Sequence, residues 1–162
     1  MAEPNIVNYL KNHEVFGSLS EAYLTKIAEW TRVVSFEAGE TIFLTGQPAD
    51  CFYLLMDGKI GLFTGMNSGD EVMVHTVDAR EILGLSWISP PYHWEFDARA
   101  LGPSNMIRFD GKAIREQCER DPVFGYGTLK KVVGLMLSRL HGVRSHMAER
   151  IRALEEEVER RS

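Results

Sequence analysis

The stretch VVSFEAGETIFLTGQPADCFYLLMDGKIGL, Val33 to Leu62, decides the fold. Apolar and polar residues alternate in short runs there, and Gly39, Gly46, Gln47, Pro48, Ala49, Asp50 and Gly58 fall between the runs. Glycine and proline permit or impose the dihedral angles of tight turns, and an alternating run turns one face to a core and the other to solvent. Short strands joined by turns at this spacing imply a sandwich, barrel or jelly roll.

On the N-terminal side, Asn5 to Asn12 reads as a short amphipathic helix. Ser20-Glu21-Ala22-Tyr23 is a capped start for a second helix running to Trp30, with Leu24, Ile27 and Ala28 at helical spacing. Strands are predicted from Thr31 to about Phe109, with a hairpin tip at Met66-Asn67-Ser68-Gly69-Asp70. The segment GKAIREQCERDP that follows Asp110 reads as a helix closing at Asp121-Pro122. One long helix takes up the remainder. The expected class is α+β, a sandwich, barrel or jelly roll with N-terminal helices over residues 1–121 and one long C-terminal helix over 122–162.

In that last helix Val133, Met136, Leu140, Val143, Met147, Ile151, Leu154 and Val158 recur at steps of three and four. A near-heptad seam of this length exceeds what a small barrel can cover, so it predicts a parallel coiled coil between two copies. Two successive steps of four between Val143 and Ile151 form a stutter, which locally unwinds the supercoil. Leu129, Val132 and Leu135 are expected to pack back on the barrel. The interface is therefore assigned to Val133, Met136, Leu140, Val143, Met147, Ile151 and Leu154.

Composition narrows the function classes. The chain has 162 residues, 44% of them hydrophobic, enough for one sizeable core. Its net charge is −5, and from Thr128 onward eight basic residues are interspersed with five glutamates, the pattern of a solvated helix face. Cys51 and Cys118 form no CxxC motif, and His141 and His146 miss the spacing of a helical metal pair, so no metal site is expected. There is no GxSxG, P-loop or HExxH signature, which argues against an enzyme. No secretory leader or bilayer-length apolar run is legible, and a soluble cytoplasmic protein without direct membrane or nucleic-acid contacts is expected.

The order of motifs is more specific than composition: a phenylalanine, Ala38-Gly39-Glu40, then Gly46-Gln47-Pro48-Ala49-Asp50, an aromatic-aliphatic strand and Gly58. This run resembles the cyclic-nucleotide-binding domain of the bacterial CRP/FNR type, and the likeness extends from Phe16 to about Met147. The resemblance implies that a short helical turn after a Gly-Glu pair, together with an arginine on the next strand, holds the ribose and cyclic phosphate. Exposed N–H groups and a guanidinium fork suit an anion.

In this sequence the corresponding stretch is ILGLSWISPPYHWEFDARAL, Ile82 to Leu101. Aligning Gly84 with the family glycine puts Leu85 in place of the glutamate, and counting back from Ala100 puts Trp94 in place of the arginine. The resemblance thus assigns ligand-binding positions to Gly84, Leu85, Ser86, Trp87, Ile88 and Trp94, with Arg99 as a candidate substitute cation. Hydroxyl-bearing residues that reach the base across the family's dimer are also replaced: after Arg139-Leu140 come His141, Gly142, Val143 and Arg144. Val143 and Arg144 complete the candidate site.

Trp87, Pro90, Pro91, Tyr92, Trp94 and Phe96 concentrate aromatic and rigid groups where the family keeps polar ones. The expectation is a homodimeric ligand-sensing module with a non-standard pocket for a small molecule, read out by a partner protein. Three alternatives stay open: a weak site for cAMP or cGMP, a ligand-free scaffold, and a transcriptional regulator acting without its own DNA-binding domain, since no recognition helix follows. Relatives of the fold hold haem, for which His75, His93 and Cys51 are the available axial side chains; their spacing fixes no haem, and no cofactor is expected.

Overall fold

The computed structural model describes residues 5–65 and 69–162. Helix α1 (Ile6–Lys11) starts where the Asn5 side chain accepts from the Asn8 N–H. Helix α2 (Glu21–Ala28) is capped by Ser20, whose hydroxyl accepts from the Tyr23 N–H, and it ends two residues short of the predicted Trp30. The Trp30 N–H still bonds to the Ile27 carbonyl, a tightened last turn from which the chain enters the first strand.

Among the described residues eight strands follow: β1 (Thr31–Phe36), β2 (Thr41–Phe43), β3 (Cys51–Asp57), β4 (Ile60–Thr64), β5 (Val72–Val77), β6 (Ile82–Leu83), β7 (Asp97–Ala100) and β8 (Ser104–Asp110). They form two four-stranded antiparallel sheets, ordered β1-β8-β3-β6 and β2-β7-β4-β5. This is the jelly-roll barrel (β-roll) that the family resemblance implies, one of the three architectures the turn spacing left open. Met66, Asn67 and Ser68 of the predicted hairpin tip lie outside the described residues.

Strand β3 is buried along most of its length instead of alternating between core and solvent. The cause is a core on each side of its sheet. Cys51, Tyr53 and Leu55 point between the sheets with Leu62, Val77, Leu83 and Met106. Phe52 and Leu54 point outward into a second core built with Phe16, Leu24, Ile27, Phe109 and Ile114. The period of two survives, but helices cover the face that would otherwise meet water.

Gly58 turns β3 into β4 with φ +108°, and a Cβ there would stand 2.7 Å from the Pro103 carbonyl oxygen, so both dihedral angle and space demand glycine. Helix α3 (Gly111–Arg120) is capped by Asp110, and α4 (Pro122–Arg161) by Asp121 with Pro122 in the first turn. Tyr23 Oη donates to Asp121 Oδ2 at 2.6 Å, joining α2 to the root of α4.

Helix α4 packs on the outer core through Phe124, Val132 and Leu135. Leu129 departs from its predicted place: it is 49% exposed. With 3.6 residues per turn it falls beneath Val133 and Met136, not beside Val132, so the exposed apolar stripe begins one turn earlier than the sequence seam. From Val133 to Val158 that stripe is 45% to 68% exposed at every seam residue except the half-buried Val143.

Candidate functional site

Between β6 and β7 the chain leaves the sheet and builds a cavity. Gly84, at φ +87°, ends β6 in a conformation that L side chains rarely adopt, and a Cβ on it would lie 2.7 Å from the Trp94 ring. A single 3-10 turn, Ser86–Ile88, follows. The loop continues through the cis Pro90-Pro91 bond and Tyr92, at φ 56°, to Trp94. Backbone bonds from Trp94 N–H to Gln47 O (3.0 Å) and from Gly46 N–H to Trp94 O (2.9 Å) clamp that end to the turn before β3.

The cavity measures about 330 Å³. Its floor and sides come from Phe43, Leu62, Gly84, Leu85, Ile88 and Trp94, and Met136 and Arg139 of α4 form the facing wall. Exposed His93, Glu95 and Phe96 stand at the rim. Trp94 is 4% exposed and lies on Phe43 with ring centroids 3.9 Å apart and planes 9° from parallel. Pockets for small organic ligands typically enclose roughly 300–1,000 Å³ of mainly apolar space with a few polar groups, so this one sits at the small end.

Of the residues singled out in the sequence, Gly84, Leu85, Ser86, Ile88 and Trp94 come together around this cavity. Trp87 turns the other way. It is 2% exposed, stacks on Phe52 at 4.8 Å, and its Nε1 finds no acceptor among the described residues. Val143 and Arg144 lie beyond Arg139 on α4 and do not line the cavity of the single chain.

Arg99 stands apart as well. Ala98 and Ala100, its neighbours on β7, face the space between the sheets, so the period of two sends Arg99 to the outer surface. There its guanidinium pairs with Glu71 and lies 4.2 Å over the Phe63 ring. The irregularity in the β2–β7 pair puts its extra residue, Ile42, on β2, so β7 keeps its alternation.

The cation at the cavity is Arg139. Its Nη2 donates to the Ile82 carbonyl at 2.5 Å, bridging α4 to β6. Burial lowers the Arg139 pKa from its ordinary value, opposed by the charge of Glu81. Glu81 is in turn held below the usual carboxylate range, chiefly by His75, whose Nε2 stands 3.9 Å away, and also by the Asp78 N–H and Arg139, against partial desolvation. Arg139 also borders a polar cleft on its far side, lined by His13, His75, Arg80 and Glu81.

A signal for Arg139 exists in the sequence. Val132, Leu135 and Arg139 follow at steps of three and four, which places a guanidinium in the barrel-facing stripe of α4.

A second arginine braces the cassette from outside. Arg115 of α3 donates to the carbonyls of Trp87 (2.5 Å) and Ala49 (3.3 Å), pairs with Asp50 at 3.3 Å, and lies 4.1 Å over the Tyr92 ring. Of the haem-ligand candidates, Cys51 is buried between the sheets, His75 sits beside Glu81, and only His93 reaches the cavity.

Residues 33–121, from β1 through α3, match the family described as the cyclic nucleotide-binding domain. The chain belongs to that family. A crystal structure from Geobacter metallireducens, of a candidate cyclic nucleotide-binding protein, is similar with a TM-score of 0.76 and 30% identity, over 87% of this chain and all of that one. The sensor domain of the transcriptional regulator DNR from Pseudomonas aeruginosa shares the fold with a TM-score of 0.66 and 22% identity, over 79% of this chain and 91% of that one.

Among curated proteins the chain is 23% identical over 147 residues to the neuropathy target esterase sws of Drosophila melanogaster. That match covers 86% of this chain but only 10% of the relative, so the chain spans about a tenth of the curated relatives it matches. The family whose model matches is a regulatory, nucleotide-binding one. Among the described residues no helix is long and apolar enough to cross a membrane.

Proposed function

We propose that this cyclic nucleotide-binding domain is a non-enzymatic, cytoplasmic sensor that holds a small molecule in an altered family pocket and reports through paired α4 helices to a partner protein. One observation carries the reading: Leu85 and Trp94, which stand where the family's glutamate and arginine are expected, both line a cavity whose opposite wall is α4. An occupant there touches the barrel and the helix at once. Its differential affinity for two helix positions is then the free energy available for signalling.

Pairing is supported by the apolar stripe through Val133, Leu140, Met147, Ile151, Leu154 and Val158, which the barrel leaves exposed. Fully burying a side chain of this kind is worth roughly 1.5–3 kcal/mol, and about half of each is exposed here, so the stripe supplies a large part of what association requires. Val143 and Arg144 would reach a ligand only from such a partner. Direct nucleic-acid or membrane binding forms no part of the reading.

A second reading, weak binding of cAMP or cGMP, is favoured by the backbone N–H groups of the Ser86–Ile88 turn and by Arg139 at the same cavity, and by the likeness to the Geobacter protein. Native mass spectrometry of the protein as isolated, followed by calorimetric titration with both cyclic nucleotides, separates the two. A co-purified small molecule with no heat from either nucleotide supports the altered pocket. Micromolar nucleotide binding overturns it, and an empty protein silent to both favours a scaffold.

A further inference from the structure

We infer that the cavity takes an amphipathic organic anion, an aryl or branched aliphatic carboxylate, whose head pairs with Arg139 and whose body lies among Phe43, Leu85, Ile88, Trp94 and Met136. This rests on the small-molecule reading above and names the class of ligand. Three features of the site converge on it.

The lining is apolar and aromatic with parallel rings at its floor, which suits a flat hydrocarbon body and offers a sugar little to bond with. Arg139 is the lone arginine or lysine of the lining, and among the described residues its one hydrogen bond is to Ile82 O. A guanidinium carries five N–H donors in a planar fork, so donors remain for a carboxylate. Burial has already removed much of the water from this cation. An anion that pairs with it regains what that desolvation lost, whereas a neutral molecule of equal shape regains less.

Arg139 sets the orientation. It stands on the α4 wall, so the head points inward against that helix, while Glu95 and His93 at the rim are both exposed and screened by solvent. The carboxylate then competes with the charge of Glu81 for Arg139, so occupancy weakens an electrostatic attraction between α4 and the β5–β6 corner.

The test uses the full chain and a pair of probes with the same shape, naphthalene-1-acetate and naphthalene-1-acetamide, titrated by calorimetry at neutral pH. The acid is expected to bind roughly tenfold or more tightly than the amide, and Arg139→Gln is expected to remove that preference by lowering the affinity of the acid far more than that of the amide. If Arg139→Gln fails to fold, judged by circular dichroism, the wild-type ratio and its fall with added salt decide. Equal affinity of acid and amide overturns this inference and leaves the small-molecule reading standing. Absence of binding by both probes up to about 1 mM overturns it too, and if cAMP binds instead, the altered-pocket reading falls with it.

Discussion

Trp94 lies flat against Phe43, 3.9 Å between ring centroids, and its edge fills the space that a side chain on Gly84 would need. One aromatic residue is thus both cavity wall and core. Trp94→Ala is expected to destabilise the fold by about 3–5 kcal/mol, the range for buried aromatic truncation, whereas Trp94→Phe should retain most of the stacking. Urea denaturation of both variants checks this. An alanine variant within about 1 kcal/mol of the parent would show that the ring is not part of the core.

Gly84→Ala should be more damaging than an exposed glycine substitution, because it combines a positive φ with a Cβ 2.7 Å from the indole. Gly39, also at positive φ but with open space around it, is the control. A loss of at least about 1 kcal/mol more at Gly84 than at Gly39 is expected, measured by thermal or chemical unfolding.

The family's polar anchors can be put back. Leu85→Glu with Trp94→Arg is expected to raise affinity for cAMP by roughly tenfold or more over the parent, since each charged contact supplies a strong hydrogen bond. The variant must first be shown to fold, given what Trp94 contributes to the core. Calorimetry on a folded double variant that gained nothing would mean that the cassette backbone no longer has the geometry for a cyclic phosphate.

Legibility of the sequence divides along physical lines. Turn glycines, strand runs and helix caps are local, so Val33 to Leu62, Gly58, Ser20 and Asp110 could be read directly. A motif gives Leu85 and Trp94 an address, and both line the cavity. Arg139 was harder, because its role depends on which stripe of α4 meets the barrel, and two apolar stripes run side by side on that helix. Leu129 was misplaced for the same reason. Arg99 could be excluded only once β7 was known to start at Asp97 without a bulge.

Acid should loosen the β5–β6 corner in a defined direction. Glu81 has a folded pKa below its ordinary value of 4.5, so its contribution is present above that value and is lost as pH falls through the lower, folded one. The stability difference between the parent and Glu81→Gln is therefore expected to be present above the ordinary value of 4.5 and to vanish in strong acid. Urea midpoints across pH 7 to about 3 follow this, and a difference that grew towards low pH would contradict the assigned sign.

Replacing Leu140 and Met147 together by glutamate should convert a dimer to a monomer without altering the barrel, because both side chains are more than half exposed in the single chain. Light scattering reports the mass and circular dichroism the fold. A dimer that persists would move the interface away from α4.

Arg115 fastens the cassette to α3, while α4 touches the cavity only as far as Arg139. The remaining 22 residues to Arg161 rise about 33 Å with no barrel beside them. On the sensor reading proposed above, the helix would act as a pointer pivoted at the Arg139 guanidinium. A tilt of about 5° at the pivot carries the far end some 3 Å, roughly the breadth of a methyl group's contact shell, so a sub-ångström adjustment inside the barrel becomes a displacement large enough to shift side-chain register at the tip.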